Sequence, residues 1–176
     1  PVYVYDFNTN IIRSEQPYTR GYWRDVGTLD AFYETNLDLC EEHPPFDLYN
    51  PHFPIRTMNW NKPPAKFIED IQNSSSKTVV TNSVISAGCI INCARIIRSV
   101  LSPGVICEKE SLVEESIIFP DVQIGAGARV RKAIIEKGVR IPPRYEIGYD
   151  LERDRKNFHV TDSGIVILAK ETIIKS

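Results

Sequence analysis

Apolar residues in the second half of the chain return at a fixed interval. The stretches "SVISAGC" at 83, "SVLSPGV" at 99, "SIIFPDV" at 116 and "AIIEKGV" at 133 recur with near-constant offsets of 16, 17 and 17. Within that frame a count of six picks out Val84, Ile90 and Ile96, then Val100, Ile106, Leu112, Ile118, Ile124 and Val130, then Ile135, Ile141 and Ile147. Three hexads to a coil predict a parallel β-helix, in which each coil stacks its aliphatic corner on the same corner of the next. An amphipathic α-helix, with its period of 3.6, cannot produce that spacing. Pro103-Gly104, Pro120-Asp121, Gly125 and Pro142-Pro143 fall where such coils must turn, glycine because it admits positive φ and proline because it presets φ.

The first half is patterned differently. "PVYVYDF" alternates as a strand does, "TNIIRSEQPYTRG" reads as a loop, and Thr28 or Asp30 can cap a helix whose apolar positions are Leu29, Phe32, Tyr33, Leu37 and Leu39. Six of the twelve prolines lie between Pro44 and Pro64. The aromatics Phe46, Tyr49, Phe53 and Trp60 should hold that extended segment on a surface, and "EDIQNSSSKTVV" reads as a short polar connection into the repeats. A stack of coils has two open ends. The charged stretch "DLERDRKNFHV" and the strand "GIVILAK" are expected to cap one, and the aromatic segment 44–68 the other.

Composition sharpens this picture in two places. With 42% apolar residues, a net charge of -2, no apolar run long enough to cross a bilayer and no signal-peptide order at the N-terminus, the expectation is a soluble, cytoplasmic protein or a fragment of one, without membrane contact. Cys40, Cys89, Cys93 and Cys107 have no zinc spacing and read as reduced core residues. The near-neutral total hides an asymmetry. Residues 1–50 hold nine acids against three bases, whereas 129–156 hold nine bases against five acids. That basic excess is either a solvated face or an anion-binding surface. Because no aromatics interleave with it to stack bases, a small phosphorylated ligand fits better than nucleic acid. A β-helix names no function, but acyl transfer on such coils needs a histidine base at a coil interface. His43, His52 and His159 all lie outside the coils, which argues against a hexapeptide acyltransferase.

The blocks "GYWRDVGTLDAFYETNLDL", "YNPHFPIRT", "PPAKF", "AIIEKGVRIP" and "SGIVILAK", in that order, resemble the C-terminal part of the bacterial glucose-1-phosphate adenylyltransferases, the ADP-glucose pyrophosphorylases of glycogen synthesis. The resemblance implies a mainly β fold: a left-handed parallel β-helix of hexapeptide repeats preceded by a small α/β remnant of a nucleotidyltransferase domain. It divides the chain into a catalytic-domain remnant at 1–43, a Pro/aromatic connector at 44–77 and a regulatory and oligomerisation β-helix at 78–176. The reaction it implies joins ATP and glucose 1-phosphate into ADP-glucose and pyrophosphate.

In the same way the resemblance points to Asp25 as catalytic and as a Mg²⁺ ligand, with Trp23 and Arg24 beside it. From the residues alone, Asp25 reads equally well as a turn or helix-capping aspartate beside Gly27. Magnesium takes one or two carboxylates plus phosphate oxygens, so a lone aspartate cannot form a site. The family's effector site maps onto Lys137 and Lys170 as a binding site for a phosphorylated effector, while Arg140, Arg144 and Lys156 rest only on the local basic excess. A homo-oligomer, tetrameric in the family, is the expected partner state. No Gly-rich nucleotide loop is present in the sequence, so the 176 residues alone are not expected to make ADP-glucose. The alternative reading is a freestanding β-helix module that binds phosphorylated metabolites or partner subunits.

Overall fold

The computed structural model of the chain describes residues 1–10, 13, 21–58, 60–72 and 77–174. The loop reading at 9–21 and the polar connection at 69–80 fall partly outside the described residues. Helix α1 (Leu29–Asp38) starts where a cap was expected. Thr28, extended at φ -119°, accepts the Ala31 N–H on its hydroxyl at 3.1 Å, which satisfies one of the unpaired donors of a helix N-terminus. Asp30 is inside the first turn instead.

From Lys66 onward the chain is mainly a stack of short strands. The first coil is β1 (Lys66–Ile68), β2 (Val79–Thr81) and β3 (Val84–Ile85), and the second β4 (Ile90–Asn92), β5 (Arg95–Ile97) and β6 (Val100–Leu101). The third follows as β7 (Ile106–Cys107), β8 (Leu112–Glu114) and β9 (Ile117–Ile118), and the fourth as β10 (Gln123–Ile124), β11 (Arg129–Arg131) and β12 (Ala133–Ile135). After β13 (Arg140–Ile141) and β14 (Glu146–Ile147) the chain leaves the stack through α2 (Leu151–Asn157) and β15 (His159–Val160), then returns as β16 (Val166–Leu168). Three sheets result, ordered β1-β4-β7-β10-β13, β14-β11-β8-β5-β2 and β15-β16-β12-β9-β6-β3. All pairings are parallel except β15 with β16. The expected parallel β-helix is thus observed, with about four turns.

Its core consists of three aliphatic rows, one per sheet, set by register. Ile91, Cys107, Ile124 and Ile141 stack in the first sheet, Ile96, Val113, Val130 and Ile147 in the second, and Leu101, Ile118, Ile135 and Leu168 in the third. The strict count of six is corrected here. Val84, Ile90, Val100, Ile106 and Leu112 are not the inward residues; their successors are, except that Ile85 is only half-buried. The step from the second sheet to the third is five residues (Ile96 to Leu101, Val113 to Ile118, Val130 to Ile135), as is Ile91 to Ile96 in the second coil, so a uniform six drifts by one, and in a strand a slip of one exchanges faces.

The corner that causes the slip is built from a serine ladder. Asn82, Arg98, Glu115 and Lys132, one per coil, all adopt φ between 45° and 49°. Ser83, Ser99 and Ser116 follow the first three. Ser99 N–H donates to Ser83 Oγ at 3.1 Å, Ser116 N–H to Ser99 Oγ at 3.1 Å and Ala133 N–H to Ser116 Oγ at 3.2 Å. Each hydroxyl donates in turn to a carbonyl of its own coil. Ser99 and Ser116 are fully buried yet satisfied.

Helix α1 lies on the outer face of the third sheet. Tyr33, Leu37 and Cys40 pack with Ile117, Ile134 and Ile165, flanked by Val84, Val100 and Ile167, and Tyr33 Oη donates to Glu115 O at 2.6 Å. Phe32 stacks on Phe119 with centroids 6.3 Å apart. This sheet is therefore apolar on both faces, and its sequence cannot reveal which residue of each pair points inward.

Three further expectations change. "PVYVYDF" forms no strand: Val2 and Val4 are 98% and 97% exposed, and only a 3₁₀ turn at Phe7–Thr9 follows. An alternating segment without a neighbouring strand has nothing to pair with. The β-helix begins inside the stretch read as connector, because β1 pairs with β4. Nor does that stretch close the first coil, whose inward Phe67 stays 51% exposed. At the other end Leu151 of α2, Phe158 and Val160 pack against the core as a cap. The four cysteines are free and buried, as expected.

Replacing Ser116 with Ala removes the acceptor for the buried Ala133 N–H. Equilibrium urea unfolding is expected to show a loss of about 1–3 kcal/mol, whereas Ser83→Ala at the open end of the ladder should cost less.

Candidate functional site

At the corner between the third and first sheets, Ala87-Gly88, Pro103-Gly104, Pro120-Asp121, Lys137-Gly138 and Lys170-Glu171 form one column of turns. The second residue of each has positive φ, from 60° at Asp121 to 81° at Gly104. Backbone bonds join the rungs: Gly104 N–H to Ala87 O at 3.1 Å, Asp121 N–H to Pro103 O at 3.2 Å and Gly138 N–H to Pro120 O at 3.0 Å. Ile135 of β12 pairs with Leu168 of β16. Lys137 and Lys170 each stand two residues beyond that pair, at equivalent turn positions on neighbouring rungs. Gly138 and Glu171 line the same cleft of about 720 Å³, which Arg140 also borders.

The surroundings of these cations differ. Lys170 is 3.8 Å from Glu171, and both side chains are exposed, so the pair contributes little. The Lys137 ammonium lies 5.0 Å from the Trp60 ring centroid, and among the described residues no carboxylate pairs with it. Arg144 sits at the next corner, between the first and second sheets, with φ 59°. Lys156 is exposed on α2. Register thus sets Lys137 and Lys170 on neighbouring rungs, and Arg140 borders the cleft that Gly138 and Glu171 line, which Arg144 and Lys156 do not.

Much of the basic excess at 129–156 has a structural use. Arg129 pairs with Glu146 at 3.0 Å, Arg131 donates to Gly148 O at 3.3 Å and Lys132 to Ser163 O at 2.6 Å. Arg153 donates to Glu146 O, and Arg155 pairs with Glu152 at 3.3 Å. The Arg129 and Arg131 guanidinium groups both lie against the Tyr149 ring, 4.2 and 4.5 Å from its centroid. Its hydroxyl donates to Glu114 at 2.9 Å, and burial, aided by that carboxylate, pushes its pKa up. The side chains left over are Lys137, Arg140, Arg144 and Lys156.

Two residues of this column were not legible as functional. Lys62 runs its aliphatic stem over Gly88 and its ammonium over Gly104 to reach Asp121 at 2.5 Å. Asp121 did leave a trace, since it fills a positive-φ position that is glycine in the coils before and after. Lys62 lies in the Pro-rich stretch, outside any repeat, and left none.

The second candidate place is the approach to α1. Asp25 Oδ1 accepts the Gly27 N–H at 2.9 Å, closing a turn. Arg24 is 3.5 Å from Asp38, and Trp23 is 72% exposed. With Glu34, Thr35 and Ala31 they line a hollow of about 240 Å³. Among the described residues no group of three or more His, Cys, Asp and Glu side chains gathers to hold a metal. Asp25 stands in this hollow with one of its oxygens engaged by the Gly27 N–H, and a magnesium ion there would need further ligands. His159, on the exposed edge strand β15, has no place in a coil interface.

The family model described as GlmU-like, C-terminal hexapeptide matches residues 63–168, the stretch from the residue after Lys62 through β16. The chain belongs to this hexapeptide family. Among relatives, the glucose-1-phosphate adenylyltransferase of Anaeromyxobacter sp. (strain Fw109-5) is 48% identical over 96% of this chain, that of Corynebacterium jeikeium (strain K411) 43% over 98%, and that of Photobacterium profundum 44% over 96%. The chain spans about two fifths of the length of these relatives, matching their C-terminal part. Among the described residues no helix is long and apolar enough to cross a membrane.

For the hexapeptide coil the column makes a prediction. A Cβ on Gly104 would clash with the Lys62 ammonium and, at 2.6 Å, with Asp121 Oδ1, whereas one on Gly138 meets nothing within 4 Å. Both carry positive φ, so each alanine should cost about 1–2 kcal/mol of backbone strain. The excess loss in Gly104→Ala over Gly138→Ala, read by thermal unfolding, measures the Lys62 contact.

Proposed function

We propose that the chain is the C-terminal β-helix part of a cytoplasmic glucose-1-phosphate adenylyltransferase of glycogen synthesis, where it binds a phosphorylated effector and contributes contacts within a homo-oligomer, tetrameric in the family. The observation that carries the reading is the register of Ile135 with Leu168, in a chain alike to such enzymes along nearly its whole length. That register sets Lys137 and Lys170 on adjacent rungs, roughly 5 Å apart by strand spacing. Ammonium groups carried on backbone so spaced can turn to share one phosphate through charge-assisted hydrogen bonds.

Regulation and assembly rather than catalysis is the role of these residues alone. Phosphoryl-group chemistry of this kind is carried by positioning and charge neutralisation around the nucleotide phosphates. Asp25 supplies one carboxylate to that task and needs further ligands from outside these residues before Mg²⁺ can bind. Trp23 and Arg24 are its neighbours at the sugar-phosphate end. The half-exposed Phe67 of the first coil supports the assembly role, since an inward row ending on a bare aromatic invites a further layer.

Isothermal titration with inorganic phosphate and with fructose 1,6-bisphosphate tests the site. Lys137→Gln and Lys170→Gln should each weaken binding by about 10- to 150-fold, the worth of one charged hydrogen bond, and Lys156→Gln by less than about 2-fold. Equal losses in all three would reduce the effect to general electrostatics and end the proposal. Pyrophosphate release from ATP and glucose 1-phosphate by the 176-residue chain is expected to be absent. Turnover that falls in Asp25→Asn would place the catalytic apparatus here.

A further inference from the structure

Residues Trp60–Pro63 run as a strap along the column of turns. Pro63 O accepts the Gly88 N–H at 2.6 Å on the first rung. The Lys62 stem crosses Gly88 and Gly104, and its ammonium pairs with Asp121 on the third. On the fourth rung the Lys137 ammonium sits over the Trp60 indole at 5.0 Å, and the Lys62 ammonium lies 6.0 Å from the same ring. Of the three attachments, two depend on a cation. The strap belongs to the end of the proline-rich stretch after α1 and leads into β1, so it joins the helix side of the molecule to the coils.

We propose that this strap is a latch released by anion occupancy of the column, with Trp60 as the residue that positions the empty Lys137. The inference rests on the anion-site reading above. An indole face is electron-rich, and it holds an ammonium by the same electrostatics that repel an anion. A phosphate that takes Lys137 together with Lys170 therefore draws the ammonium off the ring, because the charge-assisted hydrogen bond is the stronger of the two. The same phosphate competes with Asp121 for Lys62, one rung away. Loss of both contacts leaves the strap on the single Pro63–Gly88 hydrogen bond. The coils themselves are unaffected, since their rungs are joined by backbone bonds the strap does not share.

The chain has two tryptophans, so Trp23→Phe leaves Trp60 as the only reporter. In that background inorganic phosphate, against sodium chloride of matched ionic strength, is expected to raise acrylamide quenching of Trp60 about twofold. Deuterium uptake at residues 60–62 should rise with the same midpoint as calorimetric binding. Lys137→Gln should show the raised quenching before any phosphate is added and lose the response, and Asp121→Asn should show part of it. Calorimetric binding without change at Trp60 overturns the latch and leaves the anion site standing. An equal response to chloride also overturns it, as simple screening. Absence of calorimetric binding removes both proposals.

Discussion

Every rung of this protein is held by the rung below it through backbone hydrogen bonds that run parallel to the stack, and that constraint governs the rest. For such bonds to repeat, each coil must turn at the same heights as its neighbour. The chain meets the condition by placing one residue per corner in the left-handed region: Asn82, Arg98, Glu115 and Lys132 at one corner, Cys93, Glu110, Gly127 and Arg144 at the next, and Gly88, Gly104, Asp121 and Gly138 at the third. Most are not glycine. The local cost of a side chain at such a φ is offset because the N–H of that residue finds a carbonyl one coil away, as Arg98 does with Thr81 and Glu115 with Ile97.

The aliphatic rows and the column of turns are two consequences of the same periodicity. Stacking at a corner puts like positions of successive coils next to each other, whatever their distance in sequence. Inside, that brings Leu101, Ile118, Ile135 and Leu168 into one row; outside, it brings Lys137 beside Lys170, in spite of the α2 and β15 excursion between them. The excursion leaves from the second sheet and rejoins at the third, so it adds a cap without disturbing the register of β16.

What could be read from the sequence was whatever the period controls. The recurrence of "SVISAGC", "SVLSPGV", "SIIFPDV" and "AIIEKGV" located the coils and the turn column, and Thr28 located the helix start. The period failed where both faces of a strand are apolar: Val84 and Val100 look inward by composition but lie under α1, and only the five-residue corner sets the phase. It had nothing to say about Trp60 and Lys62, which touch the coils from outside the repeat, or about the arginines at 129, 131 and 153, whose partners are fixed by tertiary packing. Asp25 remains a turn-closing aspartate in the geometry, and its metal reading comes from the family.

The contacts that dock α1 differ in kind from those that build the stack. Neighbouring coils touch across a single turn of the solenoid, whereas Tyr33 reaches Glu115 over 82 residues and Asp30 reaches Thr161 over 131. Closing loops of that length costs more chain entropy and must wait until the third sheet exists to receive the helix. The coils can therefore assemble by zipping from one to the next and persist with the helix undocked, so opening of α1 is a separate, lower-lying fluctuation than unravelling of the solenoid. In that open state Ile117 and Ile134 would lie bare on the sheet, a sticky face that the helix shields as long as it stays in place.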